Sequence, residues 1–160
     1  MIQYKPEFID CIYATEEWSK SHPLKDVRVQ IVTLKEINKI SGLSTSPEVL
    51  AVVNIVDPAI QFDNQHIYMY LDRISDPGNL GTIIRTADWY GLKEIFLSPN
   101  SVDVYNQKVI QACMGSNFRV QCKYIDFKDL IDQYTFNNIY ATSMNGIDIN
   151  TIENIHNSLV

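Results

Sequence analysis

Residues 76–91 read Asp-Pro-Gly-Asn-Leu-Gly-Thr-Ile-Ile-Arg-Thr-Ala-Asp-Trp-Tyr-Gly and carry the clearest structural signal in the chain. Apolar residues at positions 80, 84 and 87 have the spacing of one face of a helix. The pattern predicts a helix that begins with Asn79 as its N-cap and ends before Gly91. Gly81 indicates a close approach of the backbone to a ligand or to another strand. Residues 67–74 have the pattern of a strand, so the sequence predicts a strand at 67–74 that leads into this helix.

The alternation of strand and helix continues through the second half of the chain. Predicted strands cover residues 67–74, 94–97, 118–122 and 138–143, and predicted helices cover residues 79–90, 106–114 and 127–134. The last residues, 157–160, have the pattern of a loop that enters one more strand. Repeated strand–helix units predict an α/β fold with a mostly parallel sheet, helices on its faces and ligands at the carboxyl ends of its strands.

The first half predicts a smaller α/β unit. Strands are expected at residues 9–14, 27–32 and 49–56, and helices at residues 15–20 and 33–42. In the second helix, Thr33 and Glu36 have the spacing of a capping box, and Leu34, Ile37 and Ile40 are expected to face inward. Turn residues without periodicity fill residues 57–65. The predicted organisation is therefore a domain at 1–56, a linker at 57–65 and a second domain at 66–160.

Composition narrows the class of protein. Of the 160 residues, 46% are apolar, which is the ordinary value for a globular chain and excludes a disordered one. No apolar run approaches the roughly 20 residues of a membrane span. Three cysteines without close pairs and three scattered histidines predict neither a disulfide framework nor a metal site. The expectation is a soluble protein of the reducing cytoplasm, with a net charge of −6 that disfavours nucleic-acid binding without excluding a local basic patch.

Three segments carry candidate chemistry, and each has a plainer alternative. Arg85 either binds a phosphate or pairs on the surface with Asp88 or Trp89. Residues 108–120 run from a helix through a glycine turn to a strand, and form either a site or an ordinary loop. Residues 141–146, small and polar at the end of a strand, either cradle a nucleotide-like ligand or simply turn the chain.

Taken in this order, the segments resemble the TrmH (SpoU) family of the SPOUT methyltransferases. The first matches the family's Pro-x-Asn-x-Gly-x-x-x-Arg-x-Ala motif, which is here carried by Pro77, Asn79, Gly81, Arg85 and Ala87. Residues 108–120 resemble the family's Lys-Val-Ile-x-Ala-x-Met-Gly-x-x-x-Arg-Val segment, and residues 141–142 resemble the Ala-Thr strand end before its cofactor loops. Residues 8–56 are similar to the small α/β RNA-substrate-binding domain often fused ahead of the catalytic domain.

The resemblance implies transfer of a methyl group from S-adenosylmethionine to a ribose 2′-hydroxyl of transfer or ribosomal RNA. It assigns Arg85 to take or share the hydroxyl proton with help from an RNA phosphate, and Asn79 to organise the active-site loop. The implied cofactor residues are Thr142, Ser143, Met144 and Gly146, and the implied RNA contacts are Arg85, Lys108, Asn117 and Arg119. It also implies a homodimer with its active site near the subunit interface, in addition to the cytoplasmic location and the lack of a metal site expected from the cysteines and histidines.

The family's Gly-Asn-Glu-Gly and Ser-Leu-Asn motifs, which form its trefoil knot and most of the cofactor pocket, do not occur in residues 1–160. We therefore expect the chain to be an internal segment of a methyltransferase, with the amino-terminal part of the α/β-knot domain at 66–160. Two alternatives stay open. One is a non-catalytic RNA-binding module, and the other is a different nucleotide-using enzyme on a doubly wound sheet.

Overall fold

The computed structural model describes residues 6–55, 62–63, 65–153 and 155–160. The chain divides into two compact units, residues 1–57 and 58–160. The predicted linker, residues 57–65, lies mostly outside the described residues.

The first unit is built on a three-stranded sheet in the order β2-β1-β3. Strand β1 is parallel to β2 and antiparallel to β3. Its elements are β1 (Ile9–Ala14), α1 (Glu16–Ser21), β2 (Val29–Ile31), α2 (Leu34–Ile40) and β3 (Val49–Val53), with a short 3₁₀ turn at Pro6–Phe8. Strands β2 and β3 are shorter than predicted.

Helix α2 confirms one prediction and corrects another. The capping box between Thr33 and Glu36 is present, with the Glu36 carboxylate accepting from the Thr33 backbone N–H at 2.8 Å. Ile37 is fully buried, but Leu34 and Ile40 are 49% and 57% exposed, so the prediction that all three face inward is wrong. A seven-residue helix has barely two turns, and only its central residue reaches the core of a narrow sheet.

The second unit confirms the predicted α/β class. Its five strands lie in the order β6-β5-β4-β8-β7, and every pairing between them is parallel. The strands are β4 (Ile67–Leu71), β5 (Glu94–Leu97), β6 (Gln121–Tyr124), β7 (Asn138–Ile139) and β8 (Ser158–Leu159). The helices are α3 (Pro77–Trp89), α4 (Gln107–Cys113) and α5 (Phe127–Gln133).

Three predicted strands of the second unit are wrong in their bounds, and the first of them, predicted at 67–74, ends at Leu71. Residues 118–122 were expected to be extended, yet Ser116–Phe118 form a 3₁₀ turn and β6 starts only at Gln121. Gly115, with φ of 84°, sends the chain into that turn instead of directly into the strand. Predicted strand 138–143 shrinks to β7, whereas the strand expected at the end of the chain is present as β8.

The sheet of the second unit has a different core on each face. One cluster is aliphatic and includes residues of α3, α4 and the strands, among them Leu80, Ile84, Ile95, Leu97 and Val109. The other is rich in aromatic rings and gathers Phe62, Tyr68, Phe96, Tyr134 and Phe136. All of β5 is buried because it lies between both clusters. No helix in the described parts of the chain has the length and apolar character that crossing a membrane requires.

Candidate active site

The first turn of α3 lies at the carboxyl end of β4. Its N-cap is Asp76, whose Oδ1 accepts from the backbone N–H of Asn79 at 2.6 Å. The prediction of Asn79 as N-cap is therefore wrong: the N-cap lies three residues earlier, because Pro77 fits the first helical position, where its missing N–H is not needed. Asn79 instead lies in the first turn, with an exposed side chain.

Arg85 lies about 9 Å further along the same helix. Arg85 and Asn79 are about 120° apart around the helix axis, and both are exposed because the buried residues of α3 occupy the other side of the helix. Its side chain is exposed and makes no hydrogen bond or ion pair with any residue that the structure describes. The alternative in which Arg85 pairs with Asp88 is wrong, because the Asp88 carboxylate accepts hydrogen bonds from Ser116 and Arg119 instead.

Asp88 joins the carboxyl end of α3 to the turn before β6. Its carboxylate accepts from Arg119 Nη2 at 2.6 Å, from Arg119 Nε at 2.9 Å and from the Ser116 hydroxyl at 2.8 Å. The hydrogen bonds from Arg119 hold the pKa of the Asp88 carboxyl below its usual value, against the opposing effect of partial burial. Arg119, predicted as an RNA contact, thus has an intramolecular partner, and its RNA role stays a prediction.

Gly81 lets α3 pack directly against α4. A Cβ at this position would lie 2.5 Å from the Cβ of Ala112 and 2.8 Å from the carbonyl oxygen of Val109. The close approach predicted at Gly81 is therefore to a helix, and not to a ligand or a strand. Together with Asp88, this contact holds α3 against its neighbours while its other side remains open.

The residues predicted from the second segment do not gather in one place. Lys108 lies in the first turn of α4, near the carboxyl end of β5, and its exposed side chain has no partner among the described residues. Asn117 and Arg119 precede β6 and belong to the opposite edge of the sheet. The Oδ1 of Asn117 accepts from the Cys113 thiol at 3.3 Å. The structure therefore brings Asn79 and Lys108 to the same edge and leaves Asn117 and Arg119 away from it.

The predicted cofactor residues follow β7, at the same carboxyl edge. Residues 142–146 form an exposed turn in which the Gly146 backbone N–H donates to the Ser143 carbonyl at 3.2 Å. The Met144 side chain is 103% exposed, so it is not packed against the rest of the described chain. Hydroxyls and backbone groups here suit the polar parts of a nucleoside. A ligand of that size is normally buried over most of its surface, so this turn supplies at most one wall of such a site.

A parallel α/β sheet with an exposed cation and amide beside the carboxyl ends of its strands is typical of nucleotide-using enzymes. The model of the SpoU rRNA Methylase family matches residues 66–160. That match covers more than half of the chain, and the chain belongs to this family.

The chain is similar to part of the length of two rRNA methyltransferases. The chain is 28% identical over 107 residues to the 23S rRNA (guanosine(2553)-2′-O)-methyltransferase RlmP of Bacillus subtilis, covering 66% of this chain and 42% of the relative. It is 33% identical over 104 residues to the mitochondrial rRNA methyltransferase 3 of Mus musculus, covering 61% of this chain and 25% of the relative. The chain thus spans less than half the length of these relatives.

Solved structures of similar fold agree with the family. The AdoMet-bound rRNA methyltransferase from Sinorhizobium meliloti has a TM-score of 0.77 and 27% identity, covering 94% of this chain and 61% of that one. The SpoU methyltransferase AviRb from Streptomyces viridochromogenes has a TM-score of 0.78 at 18% identity, covering 94% of this chain and 63% of that one. At that identity, the likeness to AviRb shows the fold.

Proposed function

We propose that the protein containing this chain transfers a methyl group from S-adenosylmethionine to a ribose 2′-hydroxyl of ribosomal RNA. The observation that carries the proposal is Arg85, an exposed cation without a partner among the described residues, on a helix within the residues that the family model matches. The names of the relatives support the substrate, since both are ribosomal RNA methyltransferases. Transfer RNA is the less supported choice.

The chemistry requires a group that acts on the hydroxyl proton. A ribose 2′-hydroxyl is a poor nucleophile at neutral pH, and S-adenosylmethionine supplies the electrophilic methyl group when it is bound. The planar guanidinium of Arg85 can grip a phosphate with two parallel hydrogen bonds and hold the ribose beside it. In this proposal Arg85 takes or shares the hydroxyl proton with help from that phosphate, and Asn79 organises the loop at the start of α3.

The remaining contacts are assigned by position. Thr142, Ser143, Met144 and Gly146 form one wall of the cofactor site. Lys108 contacts RNA from the edge that also carries Asn79, whereas Asn117 and Arg119 contact it only if RNA reaches the other edge. Residues 1–56 bind the RNA substrate. The protein works as a cytoplasmic homodimer.

The test compares Arg85→Ala with wild type in the protein expressed from its complete reading frame. Labelled S-adenosylmethionine and an unmodified 23S ribosomal RNA transcript are the substrates, and alkaline resistance of the labelled linkage identifies 2′-O-methylation. Loss of Arg85 lowers the transfer rate by about 100-fold or more. Lys128→Ala, which removes an exposed cation on α5, keeps the wild-type rate. Both variants keep the melting temperature, because exposed substitutions change stability little.

Two results would overturn the proposal. The first is transfer by Arg85→Ala at the wild-type rate. The second is salt-dependent RNA binding by the wild-type protein without methyl transfer and without affinity for S-adenosylmethionine, which would make it a non-catalytic RNA-binding module. Saturable binding of NAD or ATP in the same preparation would instead favour another nucleotide-using enzyme.

A further inference from the structure

Two serine side chains hold the segment that joins β4 to α3, and we refer to Ser98 and Ser101 as the serine clasp. Ser98 follows β5 directly and is only 5% exposed. Its hydroxyl oxygen accepts from the backbone N–H of Arg73 at 2.7 Å, and the Ser101 hydroxyl oxygen accepts from the backbone N–H of Ile74 at 3.2 Å. The two hydroxyls are 3.1 Å apart. Two consecutive amides of the joining segment are therefore bound by hydroxyls from the neighbouring loop.

The joining segment needs support because of its backbone conformation. Arg73 has φ of 51°, in the left-handed region that residues with a Cβ seldom occupy. Backbone bonds frame the same turn, with the Ser98 N–H donating to the Leu71 carbonyl at 3.0 Å and the Val102 N–H to the Ile74 carbonyl at 2.8 Å. These two backbone bonds satisfy the carbonyls of Leu71 and Ile74. The serine clasp instead accepts from the backbone N–H groups of Arg73 and Ile74. Without the hydroxyls, both amides lose their acceptors at the strained position.

The strained turn sets where α3 begins. The N-cap Asp76 comes two residues after Ile74, and its carboxylate binds the backbone N–H of Asn79. Few torsions separate Arg73 from the first helical turn, so a change of φ at Arg73 changes the direction in which α3 leaves the sheet. A displacement of about 1 Å in a reacting group is enough to reduce a rate strongly.

We propose that Ser98 and Ser101 are positioning residues for the methyl-transfer site. Their hydroxyls hold the Arg73–Ile74 peptide in the conformation that directs α3, and so fix the places of Asn79 and Arg85 without touching the substrate. The inference rests on the proposed function, because it gives these serines a role in that same site. It differs from a general contribution to stability in predicting that turnover falls while cofactor affinity is kept.

The kinetic test uses Ser98→Ala, the double variant Ser98→Ala/Ser101→Ala and Ser101→Thr in the protein expressed from its complete reading frame. With labelled S-adenosylmethionine and the unmodified 23S ribosomal RNA transcript, both alanine variants lower kcat by about tenfold or more. KM for S-adenosylmethionine stays within about twofold, since the proposed cofactor turn follows β7, two strands from β4. Ser101→Thr keeps a hydroxyl at a half-buried position and retains the wild-type kcat.

The matched control is Ser158→Ala. Ser158 is fully buried in the same sheet, and its hydroxyl donates to the His156 carbonyl at 3.4 Å, at the edge opposite the serine clasp. This variant loses a buried hydroxyl and keeps the wild-type kcat. An equal loss of kcat in Ser158→Ala and Ser98→Ala would overturn the proposal, as would an unchanged kcat in the double variant.

Amide hydrogen exchange tests the serine clasp without reference to activity. In the double variant the amides of Arg73 and Ile74 exchange at least about tenfold faster than in wild type, while Ser158→Ala leaves them unchanged. If the wild-type protein transfers no methyl group, the proposed function fails by itself. The serine clasp is then supported by faster exchange at these two amides and overturned by unchanged exchange.

Discussion

Asp88 ties the carboxyl end of α3 to the turn before β6. Its carboxylate is 18% exposed and receives hydrogen bonds from both Arg119 and Ser116, whereas Arg119 itself is 38% exposed. A carboxylate with a lowered pKa stabilises the folded state above the pKa of the unfolded chain, and this contribution disappears as pH falls through the folded pKa. The Asp88 interaction should therefore be fully present at neutral pH and absent in strong acid.

We expect Asp88→Asn to reduce the free energy of unfolding at pH 7 by about 1 kcal/mol, a figure kept small because Arg119 is partly exposed to solvent. The difference from wild type should shrink below about pH 4, where Asp88 of the unfolded chain becomes protonated. Urea unfolding at pH 7 and pH 3 measures both. Asp132→Asn, which neutralises an exposed carboxylate on α5, is the control. A difference of the same size at both pH values would show that the lowered pKa of Asp88 does not contribute to stability.

The sequence predicts the positions of some single residues of the candidate site but not their contacts. The sequence places Asn79 and Arg85 in one helix and their exposure follows from the helical period. It does not tell which of Asp76 and Asn79 caps the helix, since both residue types are good N-caps and only the position of Pro77 decides. The partner of Asp88 lies 31 residues away in Arg119, and no local pattern indicates a contact at that separation. Ser98 and Ser101 were missed, although polar residues directly after a buried strand are a usable signal.

At the scale of elements, the contact between α3 and α4 holds the candidate site in place. Periodicity predicts both helices, and their predicted bounds differ from the observed ones by one or two residues at most ends. Periodicity does not indicate which neighbour each helix meets, and it overestimates burial in α2, where the core is too narrow for the whole apolar stripe. Gly81 is the sequence signal for the α3–α4 contact, but a glycine alone does not specify what approaches it.

Gly81→Ala should destabilise the second unit by about 2 kcal/mol, despite the better helix propensity of alanine. The added methyl group would overlap the Cβ of Ala112 and the carbonyl oxygen of Val109, and backbone atoms cannot move aside as a flexible side chain can. Urea unfolding measures the change. Thr86→Ala, on the exposed side of the same helix, is the control and should stay within about 0.5 kcal/mol of wild type. Equal stabilities of the two variants would mean that α4 shifts to accommodate a side chain.

At the scale of the whole molecule, the order of the elements predicts the parallel sheet. It does not predict which large apolar side chains are exposed on the surface. Repeated strand–helix units predict parallel strands, but the insertion of β8 between β4 and β7 joins residues about 90 positions apart and has no local signature.

The surface also holds large apolar side chains that are not buried in either core cluster. Trp89 is 86% exposed, Tyr90 is 76% exposed and Met114 is 71% exposed, at the ends of two helices that pack together.

These three residues are the surface we expect a second copy of the chain to cover in the proposed homodimer. A standard interface buries about 800 Å² on each partner, and two aromatic side chains supply up to about half of that area. Trp89 is four residues after Arg85 and shares its side of α3, so a partner seated there would lie beside Arg85. The whole protein should therefore sediment as a dimer.

The double variant Trp89→Ser/Tyr90→Ser should sediment as a monomer at concentrations where wild type is a dimer, because it removes the two aromatic anchors of the expected interface and up to about half of its area. Sedimentation velocity over a range of concentrations measures the equilibrium. Ile147→Ser is the control: Ile147 is 78% exposed, lies in the loop after β7 and should leave the dimer intact. A monomeric wild-type protein would contradict the dimer itself. A double variant that remains dimeric would place the interface on another surface, and Arg85 would then act within one subunit, away from the contact between copies.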